Sequence, residues 1–295
     1  MKWLATFAAG VTGAIALLVA MHFPFDRDAV ADPDEWLERA DYRRFYDSLY
    51  APQSVPSESD SGTDPSDGPI EEFVRSYGLE HARVLEVGAG SGELQDVVAN
   101  YTGLDISETA GRNFHKPFVR ASATAMPFRQ DDFDALWTID TLEHVPRPER
   151  ALSEIRRVVK DGGLVYLKAA WQCRPWTAQG YHVRPYSDLG VGEKIIKLSI
   201  PLRESIAFRA LYTFPIRLIR LATALASPQP TSFRYRRLAP NYEHYWDADS
   251  DAINSMDPYE AILWFRSRGD EILSFDGPIA PLWVRSGAIV VRVQK

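Results

Sequence analysis

The chain has 295 residues, 45% hydrophobic and 12% aromatic, which suffices for a sizeable core and excludes collagenous and wholly disordered classes. Its one cysteine, Cys173, precludes an intramolecular disulfide and fits a reducing compartment. A net charge of -7 argues against a surface built to neutralise phosphates, so no nucleic-acid partner is expected; yet between Lys194 and Arg237 nine basic residues face a single acid, Glu204.

Residues 3–23 carry no formal charge. A helix of that length spans roughly one 30 Å hydrocarbon core, so residues 1–25 are expected to be a single-pass membrane anchor. A cleaved signal is the alternative: Lys2 supplies a basic start and Ala29-Val30-Ala31 a small-x-small site, but the apolar run is long and Asp26, Arg27 and Asp28 intervene. Arg27, Arg39, Arg43 and Arg44 follow the run and only Lys2 precedes it, which places the body on the cytoplasmic side of a membrane-associated protein. Asp32-Pro33 opens a short amphipathic helix with Trp36, Leu37, Phe45 and Leu49, and residues 51–69, mostly Pro, Ser, Asp and Gly, form a tether or surface loop. Residues 26–69 are thus a helix and linker ahead of a domain over 70–295.

After a helical piece from Ile70 to Tyr77, Ala82 to Val87 has the continuous apolar character of a buried parallel strand. Gly88-Ala89-Gly90-Ser91-Gly92 follows, then a helical pattern from Glu93 to Ala99. Strand, glycine turn and helix start would offer unpaired N–H groups to a negative ligand. A dinucleotide turn would need a third glycine where Glu93 stands. Tyr101 to Asp105 is a second strand ending in an acid suited to ribose hydroxyls. Strands follow at Phe118–Ser122, Phe133–Ile139 and Gly163–Lys168, with a helix from Pro148 to Val159 stopped by Gly162-Gly163. A helix from Pro258 to Gly269 and strands at Glu271–Phe275 and Ala288–Val293 complete the sheet.

In this order VLEVGAGSGEL, GLDIS, ATAMPF, FDALWTIDTLEHV and ALSEIRRVVKDGGLVYL, within residues 70 to 170, resemble a class I S-adenosylmethionine-dependent methyltransferase of the small-molecule type. The resemblance implies an α/β fold: a Rossmann-like, mostly parallel seven-stranded sheet with helices on both faces and an antiparallel final strand. It implies S-adenosylmethionine as cofactor, with Glu86, Gly88, Gly90 and Gly92 around the methionine end, Asp105 on the ribose and Asp140 near the methyl donor. Ala89, Ile106, Ser122 and Ala123 complete the cofactor set; Ser122 stands where relatives carry an Asp for the adenine amino group, and a neutral acceptor is weaker by about 1 kcal/mol.

Ligands of parallel α/β sheets sit beyond the carboxyl ends of the strands, so an insertion over 171–250 is expected to enclose the acceptor. Its opening aromatics, Trp171, Trp176, Tyr181 and Tyr186, either line an apolar pocket or pack a cap. From Ser205 to Ala226, Leu211, Phe214, Leu218, Leu221 and Leu225 repeat at helical spacing opposite Arg209, Arg217 and Arg220, with Pro215 kinking or dividing the helix. This basic amphipathic helix either lies in an anionic membrane interface or covers the catalytic domain as a lid. Together with the N-terminus it points to a small, hydrophobic or lipid-linked acceptor. His144 and His182 are the candidate bases, with His244 further along. Asp247, Asp249 and Asp251 alternate like a calcium loop, but Ala252 replaces its glycine and Pro258 its last ligand, so no metal is expected. Asn100-Tyr101-Thr102 formally matches a glycosylation acceptor. A nicotinamide-dependent oxidoreductase and a membrane-tethered, non-catalytic binding module are the alternatives; the oligomeric state is not legible.

Overall fold

The computed structural model describes residues 2–20, 40–49, 67–277 and 279–295. The chain divides into two compact units: Asp32–Ala170, Trp264–Asp276 and Ser286–Lys295 form the sheet unit, and Trp171–Leu263, Gly277–Arg285 and the N-terminal Met1–Ala31 the other.

The N-terminal helix α1 covers Lys2–Ala20, with Trp3, Leu4 and Phe7 exposed. Among the described residues no helix is long and apolar enough to cross a membrane. The rest of the expected anchor, the cleavage site and the start of the next helix lie outside the described residues, as do 51–66 of the expected linker. Helix α2 covers Ala40–Leu49 and α3 Asp67–Tyr77. The linker expectation fails at 67–69. Pro69 is tolerated in a first helical turn, where its missing N–H has no partner to lose, so α3 starts three residues before Ile70.

The strands of the sheet are β1 (Arg83–Val87), β2 (Asn100–Asp105), β3 (Phe118–Arg120), β4 (Phe133–Ile139) and β5 (Val159–Lys168), with α4 (Pro148–Val158) between the last two. The other unit contributes α5 (Val191–Glu204), α6 (Phe214–Ala226), β6 (Tyr235–Arg237) and β7 (Asn254–Met256). Helix α7 (Pro258–Arg266) leads back to β8 (Glu271–Ile272) and β9 (Ile289–Arg292). The seven-stranded order is β3-β2-β1-β4-β5-β9-β8; β1 to β5 pair in parallel, and β9 runs antiparallel to both β5 and β8. This is the mostly parallel Rossmann-like sheet the motifs imply, with the order reversing between β1 and β4.

Val84, Leu85 and Val87 of β1 are fully buried, as a strand covered on both faces requires. Ile70, Phe73 and Val74 of α3 join Val84, Tyr101, Ala135, Trp137 and Tyr166 in one core cluster. Ala151, Leu152, Ile155 and Val158 form the buried stripe of α4.

Local expectations fail in two places, and a third, the division of helix 205–226 at Pro215, holds. No regular helix forms from Glu93 to Ala99: the chain closes single i→i+3 turns, Gln95 N to Gly92 O at 3.2 Å and Val97 N to Leu94 O at 3.2 Å. Seven residues barely exceed the costly helical nucleus, and the Gln95 side-chain Oε1 accepts the His115 N–H at 3.0 Å, tying the segment across to the loop before β3. Gly162-Gly163 does not cap α4. It makes a bulge inside β5, where Gly162 has φ +74° and the register shifts between Phe133 and Ala135. The expected helix 205–226 is divided: a short turn at Ile206–Phe208, a π-helical stretch at Arg209–Thr213, then α6 with Pro215 in its first turn. Helix α5, ahead of it, has no counterpart in the sequence expectations.

Candidate active site

The carboxyl ends of β1, β2 and β4 meet where the strand order reverses, the position at which open α/β sheets form a crevice. A cleft opens there. Its walls include Gly88, Asp105, Ile106, Ser122, Ala123, Asp140 and His144, and an adjoining cleft shares Ile106 and Ser122.

Gly88 has φ +76°, and a Cβ there would lie 2.1 Å from Thr141 Oγ1. Only glycine brings the β1 backbone this close to the end of β4. Asp105, at the end of β2, is buried; its carboxylate accepts the Gly90 N–H at 3.0 Å and the Ser107 N–H at 2.9 Å. Burial raises its pKa, and these backbone donors oppose the rise. Each carboxylate oxygen keeps a further acceptor site, so hydroxyl groups of a ligand remain within its capacity. Asp140 follows β4 in left-handed backbone, φ +43°, with Lys168 Nζ at 3.2 Å. Such a conformation in a non-glycine residue is sparse and clusters at functional sites. Ser122 Oγ lies 2.9 Å from Thr124 Oγ1 and accepts the Thr124 N–H at 3.2 Å, which shapes its own turn.

Glu86, Ala89, Gly90 and Gly92 do not line either cleft. Glu86 sits inside the sheet, 4% exposed, in register with Trp137 and accepting a hydrogen bond from the Tyr101 hydroxyl. Burial pushes its pKa up to about 8, with Tyr101 and Trp137 opposing the shift, so the side chain is a neutral acid at pH 7. Gly90 reaches the cleft indirectly, through its N–H on Asp105.

His144 lies in a turn of 3₁₀ helix at Leu142–His144, its ring on the cleft wall. Its Nε2 is 3.6 Å from the buried Glu143 carboxylate, and the Tyr46 ring meets it edge-on at 6.0 Å. His182 belongs to the other unit, is exposed, has Asp247 at 3.9 Å and lines neither cleft; His244 stacks on Trp246. Of the insertion aromatics, Trp176 and Tyr181 pack with Leu189 and Ile200 in a small core.

Tyr42 and Tyr46 of α2 wall both clefts and were not singled out by the sequence. The Asp47 carboxylate accepts from Ser107 Oγ at 2.9 Å, and the Tyr42 hydroxyl donates to the His144 carbonyl at 3.4 Å. Helix α2 is therefore fastened at both ends of the cleft. The only sequence signal was its aromatic spacing, Tyr42, Phe45, Tyr46 and Leu49.

Comparison with known proteins agrees with this geometry. Residues 85–167 match the family model described as "Methyltransferase domain". The ubiquinone biosynthesis O-methyltransferase of Dechloromonas aromatica is 34% identical over 115 residues, covering 33% of this chain and 48% of that protein. The sterol 24-C-methyltransferase ERG6B of Gibberella zeae is 36% identical over 98 residues, covering 28% of this chain and 26% of that protein. A SAM-dependent methyltransferase structure from Thermotoga maritima covers 76% of this chain and 88% of its own at 16% identity, with a TM-score of only 0.38. The chain thus spans at most about half the length of these curated relatives. Residues 85–167 are thus similar to methyltransferase domains, as the ordered motifs imply.

Proposed function

We propose that the protein transfers a methyl group from S-adenosylmethionine to a small, hydrophobic or lipid-linked acceptor. The observation that carries this reading is the convergence of Gly88, Asp105, Ser122 and Asp140 on one cleft at the sheet's switch point. The residues fit the cofactor: the Gly88 backbone leaves room that a Cβ would fill, and Asp105 retains acceptor capacity for ribose hydroxyls. Ser122 faces the same space with a neutral hydroxyl. When bound, S-adenosylmethionine supplies an electrophilic methyl group on a sulfonium. In-line displacement needs little from the protein beyond holding the acceptor atom against that methyl group. A hydroxyl or carbon-acid acceptor must also lose a proton, and His144 on the cleft wall is positioned to take it; a carboxylate acceptor needs no base. The hydrophobic acceptor rests on the aromatic walls, Tyr42 and Tyr46, and on two relatives, one named for ubiquinone biosynthesis and one for sterol methylation.

Calorimetry with S-adenosylmethionine and its demethylated product tests the cofactor; thermal stabilisation by NAD and not by S-adenosylmethionine would reverse the choice in favour of an oxidoreductase. Labelled methyl donor offered with a membrane-lipid extract and a polar-metabolite extract is expected to mark the lipid fraction, and label confined to polar metabolites refutes the acceptor class. Replacing His144 by Ala is expected to lower turnover about a hundredfold with cofactor affinity nearly unchanged. Equal loss of both assigns His144 a structural role. Membrane location with the sheet unit on the cytoplasmic side rests on the uncharged run of residues 3–23 and the arginines after it. Recovery of the full chain in the soluble fraction after alkaline extraction would count against an integral span.

A further inference from the structure

Between Phe214 and Ala226 the only polar residues of α6 are Arg217, Arg220 and Thr223. Both arginines point inward. Arg217, 4% exposed, sets its guanidinium on the Asp257 carboxylate at 2.7 and 3.1 Å and donates to the Leu282 and Val284 carbonyls at 2.7 Å each. Arg220 grips Glu260 at 2.9 to 3.1 Å and donates to the Ser232 carbonyl at 2.7 Å. The helix is thus fastened by its charged side, the reverse of a surface helix in a globular protein. Ile216, Leu218, Ile219 and Leu225 are left exposed, Leu225 by 80%.

Helix α5 repeats the pattern. Val191, Ile195, Leu198 and Leu202, spaced i, i+4, i+7 and i+11, are all exposed, Leu198 by 67%, and Ile206 and Leu211 continue the exposure between the two helices. Ten large aliphatic side chains between residues 191 and 225 are thus exposed, where single scattered ones are usual on a soluble monomer. The surrounding charge is net positive, although Glu193 and the exposed Glu204 also lie on α5. Lys194 flanks the α5 stripe, Lys197 turns its ammonium to the His182 and Arg184 carbonyls, Arg209 sits on the π-helical turn, and Arg234 and Arg236 are exposed after the Ser232 carbonyl that holds Arg220, with the Arg234 N–H on Glu260. Trp283, half-exposed, stacks on Phe214 at 4.6 Å at the edge of α6.

We infer that the outward face of α5 and α6 seats the protein on a lipid bilayer containing anionic headgroups. An apolar stripe with a basic rim and an edge tryptophan is the pattern of interfacial helices. A second copy would bring the same positive rim against itself, and like charges juxtaposed across an interface are unfavourable. The inference does not depend on the methyl-transfer reading or on the N-terminal run.

The test uses the full chain carrying Cys173→Ser with a single new cysteine at Leu198→Cys, Leu218→Cys or, as control, the exposed Glu80→Cys, each bearing an environment-sensitive fluorophore. Vesicles are phosphatidylcholine alone or mixed with phosphatidylglycerol, with and without a nitroxide-labelled lipid. Labels at 198 and 218 are expected to shift to the blue and be quenched on anionic vesicles, and less so in high salt, while the label at 80 stays unchanged. Adding Leu218→Glu and Ile219→Glu is expected to reduce quenching at 198 and weaken partitioning tenfold or more, as loss of two buried aliphatic side chains implies. Because the readout is site-specific, vesicle binding through the N-terminal run alone leaves these labels unquenched and overturns the inference. A blue shift that follows protein concentration without lipid also overturns it and assigns the face to a second copy.

Discussion

Glu86 provides the sharpest test of how the sheet is built. The side chain is buried beside Trp137 and Tyr101, and its pKa of about 8 stands against 4.5 for an unperturbed glutamate. Below pH 4.5 folded and unfolded chains both hold the proton, and the residue adds no pH dependence. Between pH 4.5 and 8 the unfolded chain has released it and the folded chain has not, so stability falls as pH rises, by about 1.4 kcal/mol per unit. Above pH 8 both states are ionised and the penalty levels off at roughly 5 kcal/mol, a large share of the 5–15 kcal/mol typical of a domain.

Replacing Glu86 by Gln copies the neutral acid, keeping a carbonyl oxygen for the Tyr101 hydroxyl while removing the titration. The variant should match the parent near pH 4.5, exceed it by about 3 kcal/mol at pH 7 and by more at pH 8.5. Urea unfolding at fixed pH, followed by tryptophan fluorescence with the slope checked for constancy, measures the difference. Buried Asp105 also has a raised pKa, so the quantity that matters is variant minus parent rather than either curve alone. A difference that stays flat from pH 5 to 8 would refute the buried neutral acid. Loss of cofactor affinity in the variant without this pH signature would return Glu86 to the methionine end of the ligand, where the motif alone puts it.

Gly88→Ala places a Cβ 2.1 Å from Thr141 Oγ1 on left-handed backbone, so a lower thermal midpoint and loss of cofactor binding are expected, the backbone alone costing about 1–2 kcal/mol. Adding Thr141→Ala should restore part of the midpoint, because the obstructing atom belongs to that side chain. Asp105→Asn removes the charge that the Gly90 and Ser107 N–H groups and a ligand hydroxyl would share, and calorimetry should find S-adenosylmethionine bound about tenfold more weakly. Arg217→Met strands the Asp257 carboxylate and the carbonyls of Leu282 and Val284, an expected loss of about 3–5 kcal/mol in chemical denaturation. Combining it with Asp257→Asn should recover much of that loss while keeping an acceptor for the Tyr259 N–H, which Asp257 holds at 2.9 Å.

The sheet was legible because its central strands are buried on both faces, which writes continuous apolar runs such as Phe133–Ile139 into the chain. Cleft residues at strand ends were legible for a related reason: Gly88, Asp105 and Asp140 fall at fixed offsets from those runs. Glu86 does not line the cleft, since a motif gives proximity to the turn but not which face of β1 a side chain takes. Residues 93–99 have helical spacing without the length to pay for nucleation, a balance that long-range bonds such as Gln95 to His115 decide. The role of α2 was hidden because the intervening linker removes any sequence signal that Tyr42 and Tyr46 return to the cleft.

The insertion shows a different limit. Periodicity separates the faces of α6 but cannot say which one turns inward, because the acids that decide it, Asp257 and Glu260, lie 40 residues downstream of their arginines. Rotating α6 to bury Leu218, Ile219 and Leu225 would gain about 1.5–3 kcal/mol for each side chain. It would also leave two partly buried carboxylate partners and three carbonyls without their guanidiniums, at up to about 3–5 kcal/mol for each broken pair. In water these totals are comparable, so the pairs act mainly by fixing orientation. On a bilayer the balance moves decisively, since the exposed aliphatic groups lose water contact without α6 turning, and both arginine pairs stay intact.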